Sequence, residues 1–454
     1  MSTAPTPPPE PDTTRIAELA EAGARLLVGT FIDNAGITRV KTVPFDRAGT
    51  AARSGIGLSP AFAVMCLDDH VTATGKFGGP VGDLRLLPDL STATVIDAER
   101  GIAWAPLDQY DQELARFPLC QRDVLRRQEQ QASELELAFL AAFEIEFTLL
   151  TSSGAPVHTG PGYGLGPLLD LEAFALDLLE ALATAGVGVG TLHPEYGPGQ
   201  VEISLAPRTP VAAVDQYVLA RLVIGRTARR HGLTVSFAPV TLADEIGNGS
   251  HVHFSATQAG HNVFTGGEQI HGLTTTGAQL IAGVVDNSCA AAGVLTPTIA
   301  SYERLQPGHW SGAYACWGLE NREAAVRLIR GSAGTRSASA NVEVKSIDGA
   351  SNPYLVLATI LGLGLSGVRE ERTLCQPVEE NPDAIPAQTR ADRGIHQLPT
   401  SLPDALDRLE QSKVLRSILG EDLVDCLVAV RRHEVDTYTE TPMHQRIQLV
   451  RDRY

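Results

Sequence analysis

The sequence predicts an α+β protein built from two unequal domains. Three observations carry this. Up to about residue 105, short runs of alternating apolar and polar side chains are broken by turn residues. From about residue 112, long helical stretches alternate with short strands, without a regular strand–helix–strand beat. The chain of 454 residues also exceeds what one ordinary core encloses.

Residues 1–14 (MSTAPTPPPEPDTT) are proline-rich and predicted to be disordered. Residues 15–25 (RIAELAEAGAR) predict a helix. The stretch LLVGTFIDNAGITRVKTVPF then predicts a hairpin turning at Asp33-Asn34-Ala35-Gly36. Strand-like pieces follow at Asp83-Leu84-Arg85 and Ala93-Thr94-Val95-Ile96, which makes residues 15–111 a small strand-rich domain. In the second domain, residues 112–454, helices are expected near 111–131, 170–186 and 214–232, and amphipathic helices from Leu402 onward. The apolar run Tyr354–Val368 is too short to cross a bilayer and reads as a buried helix.

Apolar residues make up 43% of the chain and charged residues 20%, with a formal net charge of −17. Such a chain repels phosphate backbones and anionic lipid, so neither nucleic acid nor membrane is expected as a partner. Cys66, Cys120, Cys289, Cys316, Cys375 and Cys426 show no CxxC spacing and are expected to be free thiols in a cytoplasmic protein. The N-terminus has no basic start followed by an apolar stretch, so no signal peptide is expected.

Side chains two apart on a strand share a face. Four segments place polar, metal-capable groups at that spacing. They are Phe143-Glu144-Ile145-Glu146-Phe147, Gln200-Val201-Glu202-Ile203-Ser204, His251-Val252-His253-Phe254-Ser255 and Asn341-Val342-Glu343-Val344-Lys345. Any one of them alone is a half-exposed strand. Together with Glu195 they concentrate carboxylates that repel one another unless cations neutralise them. Oxygen-rich donors with an occasional imidazole suit Mg²⁺ or Mn²⁺ better than zinc, and such ions bridge nucleotide phosphates. There is no P-loop. GVGVG at 186–190 lacks the strand–turn–helix context of a dinucleotide site and reads as a turn into a strand. Arg322 and Arg327 lie near this set in sequence, although on charge alone a solvated helix face explains them equally well.

In this order, these segments resemble the glutamine synthetase family over nearly the whole chain. The specific pieces are Glu144-Ile145-Glu146, Pro194-Glu195-Tyr196-Gly197-Pro198-Gly199-Gln200-Val201-Glu202 and Gly247-Asn248-Gly249-Ser250-His251-Val252-His253. Arg304-Leu305-Gln306-Pro307-Gly308, Asn321-Arg322, Glu343 and Asn352-Pro353-Tyr354 continue the match. The resemblance implies an N-terminal β-grasp domain and a catalytic domain with a curved antiparallel sheet lining the site. It implies an enzyme that uses ATP as a substrate, with two or more Mg²⁺ or Mn²⁺ per site, to activate glutamate as γ-glutamyl phosphate for attack by an amine.

By the same resemblance, Glu146, Glu195 and Glu202 match the ligands of one metal, and Glu144, His251 and Glu343 those of the other. Asn248, Gly249, Arg304 and Lys345 match glutamate-holding positions. His253, Ser255, Arg322 and Arg327 match nucleotide contacts, and Arg304, Arg327 and Lys345 fall among the catalytic positions. Lys345 stands where the family has arginine. The family lysine aligns with Ala338, with Arg336 as its substitute. The resemblance further implies a homo-oligomer, a dodecamer of two hexameric rings, with sites between subunits.

The sequence departs from ammonia-using members at two carboxylates. Trp310 replaces the glutamate two residues past Gly308, and Ser59 or Leu58 falls at an N-terminal-domain aspartate. An amine pocket of Trp310, Ser59 and Tyr163, with His309 as base, suits an organic amine better than ammonium. An ordinary glutamine synthetase, a non-catalytic homologue and a guanidino-group kinase are the competing readings.

Overall fold

The computed structural model describes residues 12–454, so most of the proline-rich start lies outside the described residues. The first helix begins earlier than expected, at Thr13–Glu21. Asp12 caps it, one carboxylate oxygen accepting the N–H groups of Thr14 and Arg15 at 2.9 and 3.0 Å.

Six strands form the first sheet: β1 (Leu26–Ile32), β2 (Thr38–Pro44), β3 (Ile56–Leu58), β4 (Leu84–Pro88), β5 (Thr94–Asp97) and β6 (Ile102–Tyr110). The order is β2-β1-β6-β4-β3, with β5 beside β6. β1 and β2 form the expected antiparallel hairpin, and β1 runs parallel to β6. The hairpin tip is pinned to the rest of the chain. Asn352 donates to the carbonyls of Ile32 and Asp33, and a Cβ on Gly36 (φ +79°) would lie 2.1 Å from the Ala350 carbonyl. A buried guanidinium, Arg122, joins Asp89 and Asp108 of this half to Asp215 of the other.

Ten strands form the second, curled sheet. They are β7 (Leu137–Leu150), β8 (Val189–Pro194), β9 (Gln200–Leu205), β10 (Thr234–Ser236), β11 (Val252–Gln258), β12 (His261–Asn262), β13 (Tyr314–Leu319), β14 (Ala324–Ile329), β15 (Asn341–Val344) and β16 (His396–Gln397). The order is β16-β13-β14-β15-β11-β7-β9-β8, with β10 beside β7 and β12 beside β11. All pairs are antiparallel except β13 with β14. The four polar strand segments of the sequence therefore lie in neighbouring strands β15, β11, β7 and β9.

Helices pack behind this sheet. Thr275–Leu295 is long and apolar enough to span a membrane, but most of it is buried in the core, packed on Pro353–Arg369. Glycine permits that approach, since a Cβ on Gly283 would meet the Leu363 carbonyl at 2.1 Å. Residues 111–120, expected to be helical, form a turn instead, and the helix begins at Gln121. The Asp111 carboxylate takes the N–H groups of Glu113 and Ala115, and Leu114 is left-handed at φ +58°.

Candidate active site

Strand register builds the site. Across β14, β15 and β11, Arg327 stands opposite Glu343, and Glu343 opposite His253. Across β7, β9 and β8, Glu146 stands opposite Glu202, and Glu202 opposite His193. Directly opposed side chains share a face and lie within reach of one another. Two rungs of the sheet thus become two polar rows, and Glu144 and His251 fill the space between them.

The contacts follow from this arrangement. His251 Nδ1 lies 3.2 Å from Glu144 and 3.5 Å from Glu343, and its Nε2 lies 3.8 Å from Glu146. His253 Nε2 lies 3.2 Å from Glu144, while its Nδ1 is held by Asn341 at 3.0 Å. Lys345 and Arg327 donate to Glu343 at 3.0 and 3.1 Å. Burial raises the Glu343 pKa, but Lys345 and the two histidines overcome it and hold the group at about 2. Glu144 is only partly buried, and His251 and His253 keep it far below the usual carboxylate range. Glu202 has no partner as close as these, with His193 lying 3.7 Å away. Burial, then the charges of Glu144, Glu146 and Glu195, push it up to about 10.

Donor atoms lie within 4.8 Å of one another in three groups on this surface: Glu144, His253 and Glu343; Glu144, Glu202 and His251; His193, Glu195 and Glu202. Carboxylate oxygens with imidazoles fit a hard divalent cation. The expected partition differs in detail. His253 sits with Glu144 and Glu343 alongside His251, and His193 joins Glu195 at 3.2 Å and Glu202 at 3.7 Å. Sequence reading missed His193, although His193 and Glu195 have the same two-residue spacing that drew attention to the other segments. Gln200, grouped in the sequence with the metal-capable residues, acts as a support, its amide donating to Glu146 at 2.9 Å.

Two cavities flank these rows. One, of about 580 Å³, is lined by the carboxylates Glu144, Glu146, Glu195 and Glu202, by Arg304, Arg322 and Lys345, and by His309, Trp310, Tyr163 and Tyr196. The other, of about 390 Å³, has walls of Phe143, Phe254 and Pro207 with His253, Ser255 and Asn341. Glu144 is on the wall of both. Arg322, expected with the nucleotide contacts, opens into the first cavity and not the second. Arg336 heads a short helix at Arg336–Ser339, and its neighbour Ala338, rather than Arg336 itself, lines the second cavity.

Two expected positions lie elsewhere. Ser59 caps the turn Pro60–Val64 through the Ala61 N–H and does not line either cavity within one chain. The Asn248 amide is spent inside the fold. It donates to Ala238, Thr148 and Thr241 and accepts from Gln200, so it shapes the Gly247–Ser250 loop and does not line a cavity.

Gly249 donates its N–H to Glu146 at 2.8 Å. A Cβ there would sit 2.5 Å from His251 Nε2, 2.6 Å from Arg304 Nη2 and 3.0 Å from Glu146 Oε1. Gly249→Ala is therefore expected to displace all three groups. Activity should fall about 100-fold, with a stability loss of only about 1–3 kcal/mol, read by turnover and denaturant unfolding side by side.

The sequence matches the glutamine synthetase N-terminal domain family over residues 11–117 and the glutamine synthetase catalytic domain family over residues 118–450. The chain belongs to the glutamine synthetase family. A gamma-glutamylpolyamine synthetase from Streptomyces coelicolor is 41% identical, over 93% of this chain and 92% of its own. The glutamine synthetase of Methanocaldococcus jannaschii is 30% identical over 82% of this chain and 83% of its own. A crystal structure of a novel glutamine synthase homolog superposes with a TM-score of 0.85 at 31% identity, covering 95% of this chain and 99% of that one.

Members of this family use ATP and divalent metals. A cation bound among these carboxylates is expected to stabilise the fold, by about 2.7 kcal/mol at roughly 100-fold excess over its Kd. The sign of the pH dependence follows from Glu202, whose folded pKa lies above its unfolded value. Its protonated form contributes stability fully below about pH 4.5, and that stability is lost as pH rises through about 10. Cation binding displaces the proton, so the rise in unfolding midpoint on adding Mn²⁺ should be larger at about pH 8 than at about pH 6.

Proposed function

We propose that this ligase joins the γ-carboxyl of glutamate to an organic amine at the expense of ATP, through γ-glutamyl phosphate. The observation that carries the amine reading is the rim of the larger cavity. Tyr163, Tyr196 and Trp310 are each about half exposed there, at 58%, 51% and 51%. Tyr163 stacks on His193 at 4.8 Å and meets Tyr196 edge-on at 5.5 Å. Tyr196 meets Trp310 edge-on at 6.1 Å. Aromatic faces attract an alkylammonium and cover its carbon chain, whereas ammonium has no chain to cover. Among organic amines we favour a polyamine. Three aromatic faces in a row cover a longer carbon chain than a short alkylamine offers, and the relative from Streptomyces coelicolor carries a polyamine in its name.

In this reading, glutamate lies in the larger cavity with Arg304 and Lys345 on its carboxylates, beside Gly249. ATP lies in the smaller cavity against His253 and Ser255. Glu144, on the wall of both, marks where the γ-phosphoryl group and the γ-carboxylate meet. Two or more Mg²⁺ or Mn²⁺ held by Glu146, Glu195 and Glu202 and by Glu144, His251 and Glu343 supply neutralisation of the negative charge spread over the transferring phosphoryl group. The γ-carboxylate attacks the γ-phosphorus and ADP leaves. Arg327 and Arg322 add positive charge at the two sides of the rows. His309, on the cavity wall, takes a proton from the amine, which then attacks the acyl carbon and expels phosphate. The aromatic rim and the amine chain together exclude water that would hydrolyse the acyl phosphate.

We further propose that the enzyme works in the cytoplasm as a dodecamer of two hexameric rings, with Ser59 reaching the cavity of a neighbouring subunit. ATP- and glutamate-dependent phosphate release across ammonium, methylamine, ethanolamine, aniline, putrescine and spermidine tests the reading. The highest kcat/KM is expected for putrescine or spermidine. Faster turnover with ammonium than with every organic amine would make it an ordinary glutamine synthetase.

A further inference from the structure

The segment Pro307–Gly312 that presents His309 and Trp310 passes through left-handed backbone three times, with φ of +79° at Gly308, +53° at Trp310 and +74° at Gly312. Glycine adopts this conformation freely and tryptophan does not. A side-chain-bearing residue stays there only where its surroundings hold it.

Glu323 is what holds Trp310. It is 7% exposed, and its Oε1 accepts the Trp310 N–H at 3.1 Å. Its second oxygen, Oε2, is buried and has no hydrogen-bond partner among the described residues. The carboxylate is delivered from a rigid turn. Asn321 accepts the Glu323 N–H at 3.0 Å, and the Asn321 amide donates to the carbonyls of Val378 and Glu380 at 2.8 and 3.1 Å. Arg322, between them, faces the larger cavity, and Glu323 stands behind the loop without lining it. A buried carboxylate with one oxygen unsatisfied is costly, so stability alone does not account for it.

We propose that Glu323 is a positioning residue for amine specificity, fixing the backbone of Trp310 so that the indole stays against Tyr196 at the rim. The effect on substrate rests on the organic-amine reading above, while the anchoring itself does not.

The test combines kinetics with fluorescence. KM for putrescine and for glutamate is measured in Glu323→Ala and Glu323→Gln, each made in the wild-type and the Trp310→Ala backgrounds. Acrylamide quenching reads the loop directly, because Trp104 and Trp317 are 1% and 0% exposed against 51% for Trp310. In the wild-type background, Glu323→Ala is expected to raise KM for putrescine about tenfold and leave KM for glutamate within about twofold. Glu323→Gln keeps an acceptor oxygen and is expected to recover most of the loss. In the Trp310→Ala background, Glu323→Ala should add less than about twofold, since its effect runs through Trp310. Quenching should strengthen in Glu323→Ala. Equal losses in both backgrounds, an equal rise in KM for glutamate, a glutamine variant as poor as alanine, or unchanged quenching each overturn the proposal. If the wild type prefers ammonium, the proposed function fails, and the quenching arm still decides the anchor.

Discussion

Glu343→Ala is expected to lower ligase turnover by at least about 1000-fold and to cost about 3–5 kcal/mol of stability. Glu343 is the most enclosed member of the polar rows, with its side chain 2% exposed between Lys345, Arg327, His251 and His253. Removing it takes away one of the proposed cation ligands. It also leaves the Lys345 ammonium, 4% exposed, without the carboxylate that compensates its burial. The two effects separate by experiment. In Glu343→Ala/Lys345→Met no unpaired charge is left, so the unfolding midpoint should recover much of its loss while turnover stays abolished. Turnover within about tenfold of wild type in Glu343→Ala would remove this carboxylate from the chemistry.

Trp310→Ala is expected to lower kcat/KM for putrescine by about 10–100-fold, or roughly 1.4–2.7 kcal/mol of transition-state binding, while KM for glutamate stays within about twofold. The indole is half exposed and meets Tyr196 edge-on. Little stability should be lost with it. Trp310→Glu carries the argument further, because a carboxylate at the rim restores an anionic contact for a small hydrated cation. The ratio of ammonium to putrescine turnover should rise in that variant. An unchanged kcat/KM for putrescine in Trp310→Ala would remove the rim from amine recognition.

Much of the candidate site was legible in the sequence, because backbone geometry alone decides which residues of a strand share a face. Glu144 and Glu146, His251 and His253, and Glu343 and Lys345 were paired by spacing before any partner strand was known. The family's ordered motifs then placed Glu195, Glu202, Arg304 and Arg322. Other residues were not legible. His193 shares the two-residue spacing with Glu195, but one imidazole beside a threonine does not mark a site, and it became part of the site through its register opposite Glu202. Tyr196 lay inside a motif read for its glutamates, and its place between Tyr163 and Trp310 is set by three separate chain segments. The helix expected to cover residues 111–120 failed for a local reason: the Asp111 carboxylate satisfies backbone N–H groups that a helix would have claimed.

The sequence by itself determined the α+β class, the strand faces that carry charge and the family, since these depend on local periodicity and ordered motifs. Only the tertiary structure decided which face meets which. It set Glu343 against His253 and Glu146 against Glu202, turned Asn248 inward, kept Ser59 away from its own chain's cavities and brought Glu323 behind Trp310. The physical reason is that register and long-range packing join residues a hundred or more positions apart, as with Gly249 and Glu146, and no local pattern encodes that distance.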